Sequence, residues 1–307
     1  MTAPAAPTPL ESAPRSLAGE RALLLKREDV HELGAFKWRG SLPVLEAFRE
    51  AGAQTVVTAS TGNHGAAAAW AAERLGLRAV VYAPEGATET KLALVEGLGA
   101  EARIVGTDLD EAKDEARRWA EERGLPFFED GAERAQHTGY GAIADEILDQ
   151  AGAPPATVVV PVGNGALLGG IGLRLAERGA ASTLCVGVAA AAAPVMVDSW
   201  EAGRVVEGDR SATFADGLAV RVAIPLAVDV LGEVADRMLR VSERAIAEAV
   251  RAYAEAGIRA EGAAAAALAA LPQLEDIDGP TVLVMTGRNI DDDLHARACT
   301  RPESFPS

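Results

Sequence analysis

Lysine is scarce in this chain: Lys26, Lys37, Lys91 and Lys113 are the whole set. A lysine whose amine is held neutral can attack a carbonyl and form a Schiff base, which arginine cannot do. Lys37 has a suitable setting, between Phe36 and Trp38 and near the start of a helix that runs to about Glu50. Apolar neighbours and a helix N-terminus both favour the neutral amine. A surface lysine between two buried aromatics fits this segment equally well.

Two further segments could hold ligands. Thr58–Ala59–Ser60–Thr61–Gly62–Asn63–His64–Gly65 leads straight into an Ala-rich helix. Hydroxyls and backbone N–H groups at a helix start make a site for an anion such as a carboxylate, and the Asn63 amide can donate to a phenolate oxygen. The plain alternative is an N-capping loop with Ser60 or Thr61 as the cap. The second segment runs from Val158–Val159–Val160 through Gly163–Asn164–Gly165–Ala166–Leu167 to Gly170. A strand ending in small residues before a helix can wrap N–H groups around a phosphate. It is no Walker A loop, because no Gly-Lys-Ser/Thr follows. As a dinucleotide fingerprint it lacks a convincing acidic partner about 20 residues on.

The elements that must position these residues alternate. Strands are expected over residues 55–58, 78–82, 101–105, 157–160, 183–188 and 281–285, with helices over 65–75, 89–98 and 109–123. Such alternation predicts an α/β fold with mostly parallel sheets and helices on both faces. Loops after the strands then gather at the carboxyl edge, where ligands bind in open α/β folds. Two Gly-rich loops, each after its own strand, suggest two sheets facing one cleft.

Composition narrows the function. A formal net charge of −16 argues against nucleic acid or an anionic membrane as a partner. Cys185 and Cys299 are the only cysteines, with no metal-ligand spacing, so a reducing compartment is the default. The Ala/Pro-rich start lacks the basic and apolar regions of a signal peptide, and no apolar run is long enough to span a bilayer. A cytoplasmic protein is expected.

Together and in order, the three segments resemble the fold-type II pyridoxal-phosphate (PLP) enzymes, the tryptophan-synthase-β-like family. Within it the likeness is to the threonine deaminase, serine dehydratase and serine racemase branch. Thr213–Phe214–Ala215–Asp216–Gly217, the helix start at Glu261 and Thr286–Gly287–Arg288–Asn289–Ile290–Asp291 extend the resemblance to nearly the whole chain. It implies two open, twisted, mostly parallel sheets with flanking helices, and PLP in the cleft between a large and a small domain. The small domain would be residues 40–129, inserted into a large domain of residues 1–39 and 130–307. A homodimer is implied as well.

The resemblance also implies roles. Lys37 would hold the cofactor as a Schiff base and act as base at the substrate Cα, with Phe36 close to the cofactor ring. Asn63 would bond the cofactor 3′-oxygen. Ser60, Thr61, Gly62, Asn63 and His64 would surround the substrate carboxylate, with the Thr61 hydroxyl as a second proton donor. Backbone N–H groups of Gly163, Asn164, Gly165, Ala166 and Leu167 would hold the phosphate, and Thr286 would meet the pyridine nitrogen. A hydroxyl partner leaves the ring a weaker electron sink than a carboxylate would, which favours β-elimination. The implied activity is an ammonia-lyase (dehydratase) converting a β-hydroxy-α-amino acid, such as serine, threonine or an analogue, to a 2-oxo acid and ammonia. Alternatives are β-replacement, racemisation, and a ligand-binding homologue without turnover; a nucleotide-binding Rossmann enzyme leaves Lys37 and Asn63 unexplained.

Some positions depart from the family pattern. Ala35 and Trp38 flank the lysine differently, and Asn164 and Ala166 replace glycines. Ala189 and Val195 cannot supply the carboxylates of the family's divalent-cation site, so no metal is expected. The chain ends soon after Asp293, so control through a regulatory domain is not expected. Arg288 replaces a glycine, as either a substrate-facing cation or an arginine turned to solvent.

Overall fold

The computed structural model describes residues 6–307 apart from Thr61, Thr88, Asp209, Arg210 and Asp276. The chain divides into two compact units. The larger consists of Ala6–Phe36 and Tyr140–Ser307, and the smaller of Lys37–Gly139. The division separates Phe36 from Lys37 along the chain.

In the smaller unit, strands β3 (Thr55–Ala59), β4 (Arg78–Ala83) and β5 (Glu101–Ile104) form a parallel sheet in that order. Helices α2 (Trp38–Glu50), α3 (Asn63–Leu75), α4 (Glu89–Gly97) and α5 (Leu109–Glu122) connect and flank the strands. Helix α3 buries every residue from His64 to Ala72, and its alanines allow close approach to its neighbours. The Trp38 and Trp70 rings, 5.9 Å apart, tie α2 to α3. Residues 126–128 run beside β3: Val57 donates to the Pro126 carbonyl, and Phe128 donates to the Val57 carbonyl. This pairing carries the chain up to Asp130 along the end of β3.

The larger unit has a six-stranded sheet in the order β1-β2-β9-β6-β7-β8. Its strands are β1 (Leu10–Ser12), β2 (Leu23–Arg27), β6 (Thr157–Pro161), β7 (Leu184–Ala190), β8 (Arg237–Val241) and β9 (Thr281–Met285). All pairs are parallel except β1 with β2. Strands β6 and β9 are buried along their whole length, as expected for a parallel sheet covered on both faces. The covering helices include α7 (Ala166–Glu177), α10 (Glu243–Glu255) and α11 (Gly262–Ala269). The other α-helices among the described residues are α1 (Arg15–Ala18), α6 (Arg134–Ala151), α8 (Val195–Ala202), α9 (Pro225–Val234) and α12 (Asp292–Thr300). Sequence periodicity does not reveal β1, β2 or β8. Charges interrupt β2 at Lys26–Arg27, and β8 is a half-buried edge strand that carries Arg237 and Arg240. Neither presents a clean apolar run.

Register decides what this sheet can position. Val159 lies opposite Leu283, so the segments after Pro161 and Met285 leave the same edge. The Gly163 loop and Thr286 therefore emerge side by side at the carboxyl end, where open α/β sheets bind ligands. Lys26 is fully buried beneath them, bonded to Glu146 (2.5 Å) and to the Thr8 carbonyl (2.6 Å). Of the two lysines near the N-terminus, this one is part of a closed ion network.

Candidate active site

Lys37 immediately precedes α2, where its carbonyl accepts from the amides of Gly40 and Ser41. Its Nζ pairs with Asp130 Oδ2. Asp130 is held further by Gln136, whose side-chain NH2 donates to Oδ1 over 2.7 Å while its Oε1 accepts from the Gly131 amide. His64 Nδ1 lies 3.5 Å from the same Oδ1. Burial opposes ionisation of Asp130, yet Lys37, His64 and the Gln136 bond outweigh it and hold the carboxyl well below the usual carboxylate range.

His64 is buried, and its ring meets the Phe128 ring edge-on at 4.5 Å. The Thr58 hydroxyl donates to the Phe128 carbonyl (2.7 Å), so it accepts from His64 Nε2 (2.9 Å). That assignment leaves Nδ1 facing Asp130. Desolvation lowers the His64 pKa, with Lys37 adding to the effect and Asp130 opposing it, so the ring is neutral at neutral pH. Both ring nitrogens are thus directed at residues of its own unit.

Around His64, the anion loop has a simple construction. Ser60 Oγ accepts from the Gly62 amide over 3.1 Å. Gly62 is the N-cap of α3 and supplies no side chain to cap that helix start, the kind of place where backbone N–H groups meet anions. Thr61 lies outside the described residues.

In the larger unit, Gly165 caps α7 with φ +90, a left-handed conformation suited to glycine. A Cβ at Gly163 would overlap the Gly217 carbonyl oxygen, so the loop passes where only glycine fits. Asn164 turns back on the loop, its Oδ1 accepting from the Ala166 amide at 3.1 Å. That amide is occupied, while Leu167 is the next N–H of the uncapped helix start. Thr286 is buried, and its hydroxyl has no hydrogen-bond partner among the described residues. The Phe36 amide donates to the Thr286 carbonyl (3.1 Å), which fixes Phe36 beside it; the Phe36 and Tyr140 rings meet at 5.0 Å.

A glycine-lined helix start beside an orphaned buried hydroxyl fits a group that carries a phosphate and an aromatic ring nitrogen. A phosphate accepts from backbone N–H, and a ring nitrogen completes the hydroxyl. These features place the larger unit among α/β proteins that bind a phosphorylated, ring-bearing cofactor at the carboxyl edge of a sheet. The chain belongs to the pyridoxal-phosphate dependent enzyme family, whose profile matches residues 1–287.

The family's cofactor is pyridoxal phosphate. Among characterised proteins, the L-threonine ammonia-lyase of Geobacter sulfurreducens is 35% identical over 273 residues, covering 88% of this chain and 67% of that enzyme. Among solved structures, a processed threonine deaminase isoform 2 from Solanum lycopersicum superposes with a TM-score of 0.90 at 28% identity, covering 98% of this chain and 89% of that one. A second threonine deaminase, from T.th., gives a TM-score of 0.85 at 32% identity, covering 93% of this chain and 92% of that one.

Asp130 and Gln136 do not stand out in the sequence. Asp130–Gly131 reads as a turn, and no spacing rule links it to Lys37. The one hint is its position soon after Pro126–Phe127–Phe128, a short apolar run long enough to pair with a strand. Among the described residues, no helix is long and apolar enough to cross a membrane.

Proposed function

We propose that the chain is a pyridoxal-phosphate-dependent ammonia-lyase acting by β-elimination on a β-hydroxy-α-amino acid. The observation that carries this reading is Thr286, a buried hydroxyl without a partner among the described residues, to which this reading assigns the cofactor's ring nitrogen. Bound pyridoxal phosphate supplies a ring that draws electron density from the substrate Cα, and a hydroxyl rather than a carboxylate at its nitrogen keeps that draw moderate, which favours loss of a β-substituent over transamination. The relatives' names, L-threonine ammonia-lyase and threonine deaminase, support the same chemistry.

Each residue has a task in this reading. Lys37 Nζ carries the cofactor and removes the Cα proton. Asp130, fixed by Gln136, orients Nζ and keeps a negative charge beside it. Ser60, Gly62 and Asn63 take the substrate carboxylate at the start of α3, with Thr61 as a donor on the opposite face, and Asn63 also bonds the cofactor's phenolic oxygen. His64 lines the same helix start, held by its bond to Thr58 and by its position beside Asp130. N–H groups of Gly163, Asn164, Gly165 and Leu167 hold the phosphate, Ala166 completes that turn, and Phe36 packs on the ring. Net, the β-hydroxyl leaves as water, one water returns on hydrolysis, and the products are a 2-oxo acid and ammonia. The finer expectations, a homodimer in the cytoplasm with a small-molecule substrate, complete the reading.

The test is a panel of β-hydroxy amino acids given to PLP-loaded protein, with oxo acid and ammonia measured beside a Lys37→Ala control. Stoichiometric release of both products, reduced at least about 1,000-fold in the control, is expected. Cofactor binding without release of either product from any member would overturn the reading.

A further inference from the structure

Arg288 answers a question that the family likeness leaves open, namely which side chain the substrate carries. The turn after β9 is held to the segment before Lys37 by an antiparallel contact. Ala35 pairs with Gly287, the Phe36 amide donates to the Thr286 carbonyl, and the Arg288 amide donates to the Gly34 carbonyl. Side chains alternate across such a ribbon. Gly287 faces Glu261, whose carboxyl carbon lies 2.8 Å from where a Cβ would stand. Thr286 and Arg288 therefore share the other face, together with Phe36. That is the face to which the proposed function assigns the cofactor ring.

The Arg288 side chain crosses Gly34, with its Cγ 3.2 Å from the position of a Cβ there. A side chain at Gly34 would block this path. The residue is half-buried, and among the described residues its guanidinium has no hydrogen bond, ion pair or ring contact. This is unusual in a chain of net charge −16. Arg27, Arg174, Arg240 and Arg259 are each engaged by a carboxylate. A guanidinium stays charged, so a half-buried one without a partner invites an anion. The acidic chain as a whole repels anionic ligands, and a local cation is what an anionic substrate would need here.

We infer that Arg288 sets specificity for a substrate whose side chain carries a carboxylate, a β-hydroxy amino dicarboxylate of the 3-hydroxyaspartate class. This rests on the proposed function, which gives the α-carboxylate to the loop before α3 and leaves Arg288 for a second anion. A planar guanidinium matches a carboxylate in a two-bond fork. A phosphate monoester carries nearly two charges, and one guanidinium would leave part of that charge uncompensated.

The test compares kcat/KM for the 3-hydroxyaspartate diastereomers, O-phosphoserine, serine and threonine in the wild type, Arg288→Gly and Arg288→Lys. A 3-hydroxyaspartate diastereomer is expected to exceed serine by about 100-fold in the wild type. That ratio should collapse by a similar factor in Arg288→Gly and be partly kept in Arg288→Lys, with the loss mainly in KM. A ratio that stays within about threefold across the variants would overturn the inference, as would a wild type that prefers serine, threonine or O-phosphoserine. A second readout needs no turnover: the change in cofactor absorbance when aspartate or alanine binds. Aspartate should saturate the wild type at lower concentration than alanine, and Arg288→Gly should erase the difference. If that holds and no substrate releases ammonia, β-elimination fails and the carboxylate specificity stands. If ammonia is released and neither ratio moves, the specificity fails alone.

Discussion

Two clusters, one around Asp130 and one around Thr286, treat their polar groups differently. In the smaller unit, Lys37, Asp130, Gln136, His64 and Thr58 form a chain in which charges and hydroxyls find partners within the unit. In the larger unit, the carboxyl edge of the sheet leaves Thr286 Oγ1 buried without a partner among the described residues and lines its loop with glycine. A satisfied network holds side chains in one arrangement. An unsatisfied hydroxyl costs stability until something completes it. The comparison assigns positioning of the reactive amine to one unit and reception of a ligand to the other, and it can be broken by experiments on each.

The largest effect should come from Gly163→Ala. The new methyl group would overlap the Gly217 carbonyl oxygen, and both atoms belong to backbone that moves only as a loop. The expected result is a loss of about 2 kcal/mol in stability and about 100-fold in pyridoxal-phosphate affinity. Denaturant melts and a cofactor titration followed by absorbance check both. Unchanged affinity would mean that this loop holds no phosphate.

Next comes the charge network. Asp130→Asn should cost about 2 kcal/mol at pH 7, because it leaves the Lys37 ammonium without its carboxylate in a half-buried place. The pH dependence carries the sign. Asp130 has a folded pKa below its unfolded one, so its contribution is present above about pH 4 and is lost only in stronger acid. His64 and His137 are also lowered, chiefly by burial, so folding favours their neutral forms. Their contribution is full above about pH 6.5 and declines as pH falls below it, because the unfolded chain then binds more protons. Stability curves of both proteins from pH 8 to pH 5 should therefore decline, with the gap between them widening as pH falls, because only in the wild type does Asp130 oppose the lowering of the His64 pKa. A gap that closes by pH 6 would show that Asp130 is not the ionised partner.

Much of this is legible without any coordinates. Thr157–Val158–Val159–Val160 and Thr281 to Met285 are short apolar runs bounded by turn residues, and both are strands, because a fully buried parallel strand needs no alternation. Gly163 can be picked out because a glycine run before a helix start is a local pattern, whereas Thr286 is reached only through the family resemblance. Asp130 stays hidden because its link to Lys37 spans 93 residues and depends on residues 126–128 pairing beside β3. Arg288 can be noticed but not oriented, since its direction follows from pairing with Gly34–Phe36, more than 250 positions away. Local chemistry reads directly from sequence, whereas long-range pairing needs the fold.

Thr286→Ala should have the smallest effect, and it is the sharpest test because its sign depends on the cofactor. Without the cofactor the hydroxyl is buried with no partner among the described residues, so its removal eliminates a desolvation cost, while loss of Oγ1 and the Cγ2 methyl leaves a void of two heavy atoms. Those terms oppose each other, and the net change should lie within about 1 kcal/mol of zero. In the loaded protein the same hydroxyl would gain the ring nitrogen, and its loss should cost about 1 kcal/mol. Thermal melts of both forms, with and without the substitution, measure the two differences. A smaller rise in Tm on cofactor binding in the variant, with the apo value preserved, is the expected pattern. Equal destabilisation of both forms would make Thr286 an ordinary core residue, and the contrast between the ion-paired cluster at Asp130 and a hydroxyl completed by a ligand would lose its strongest support.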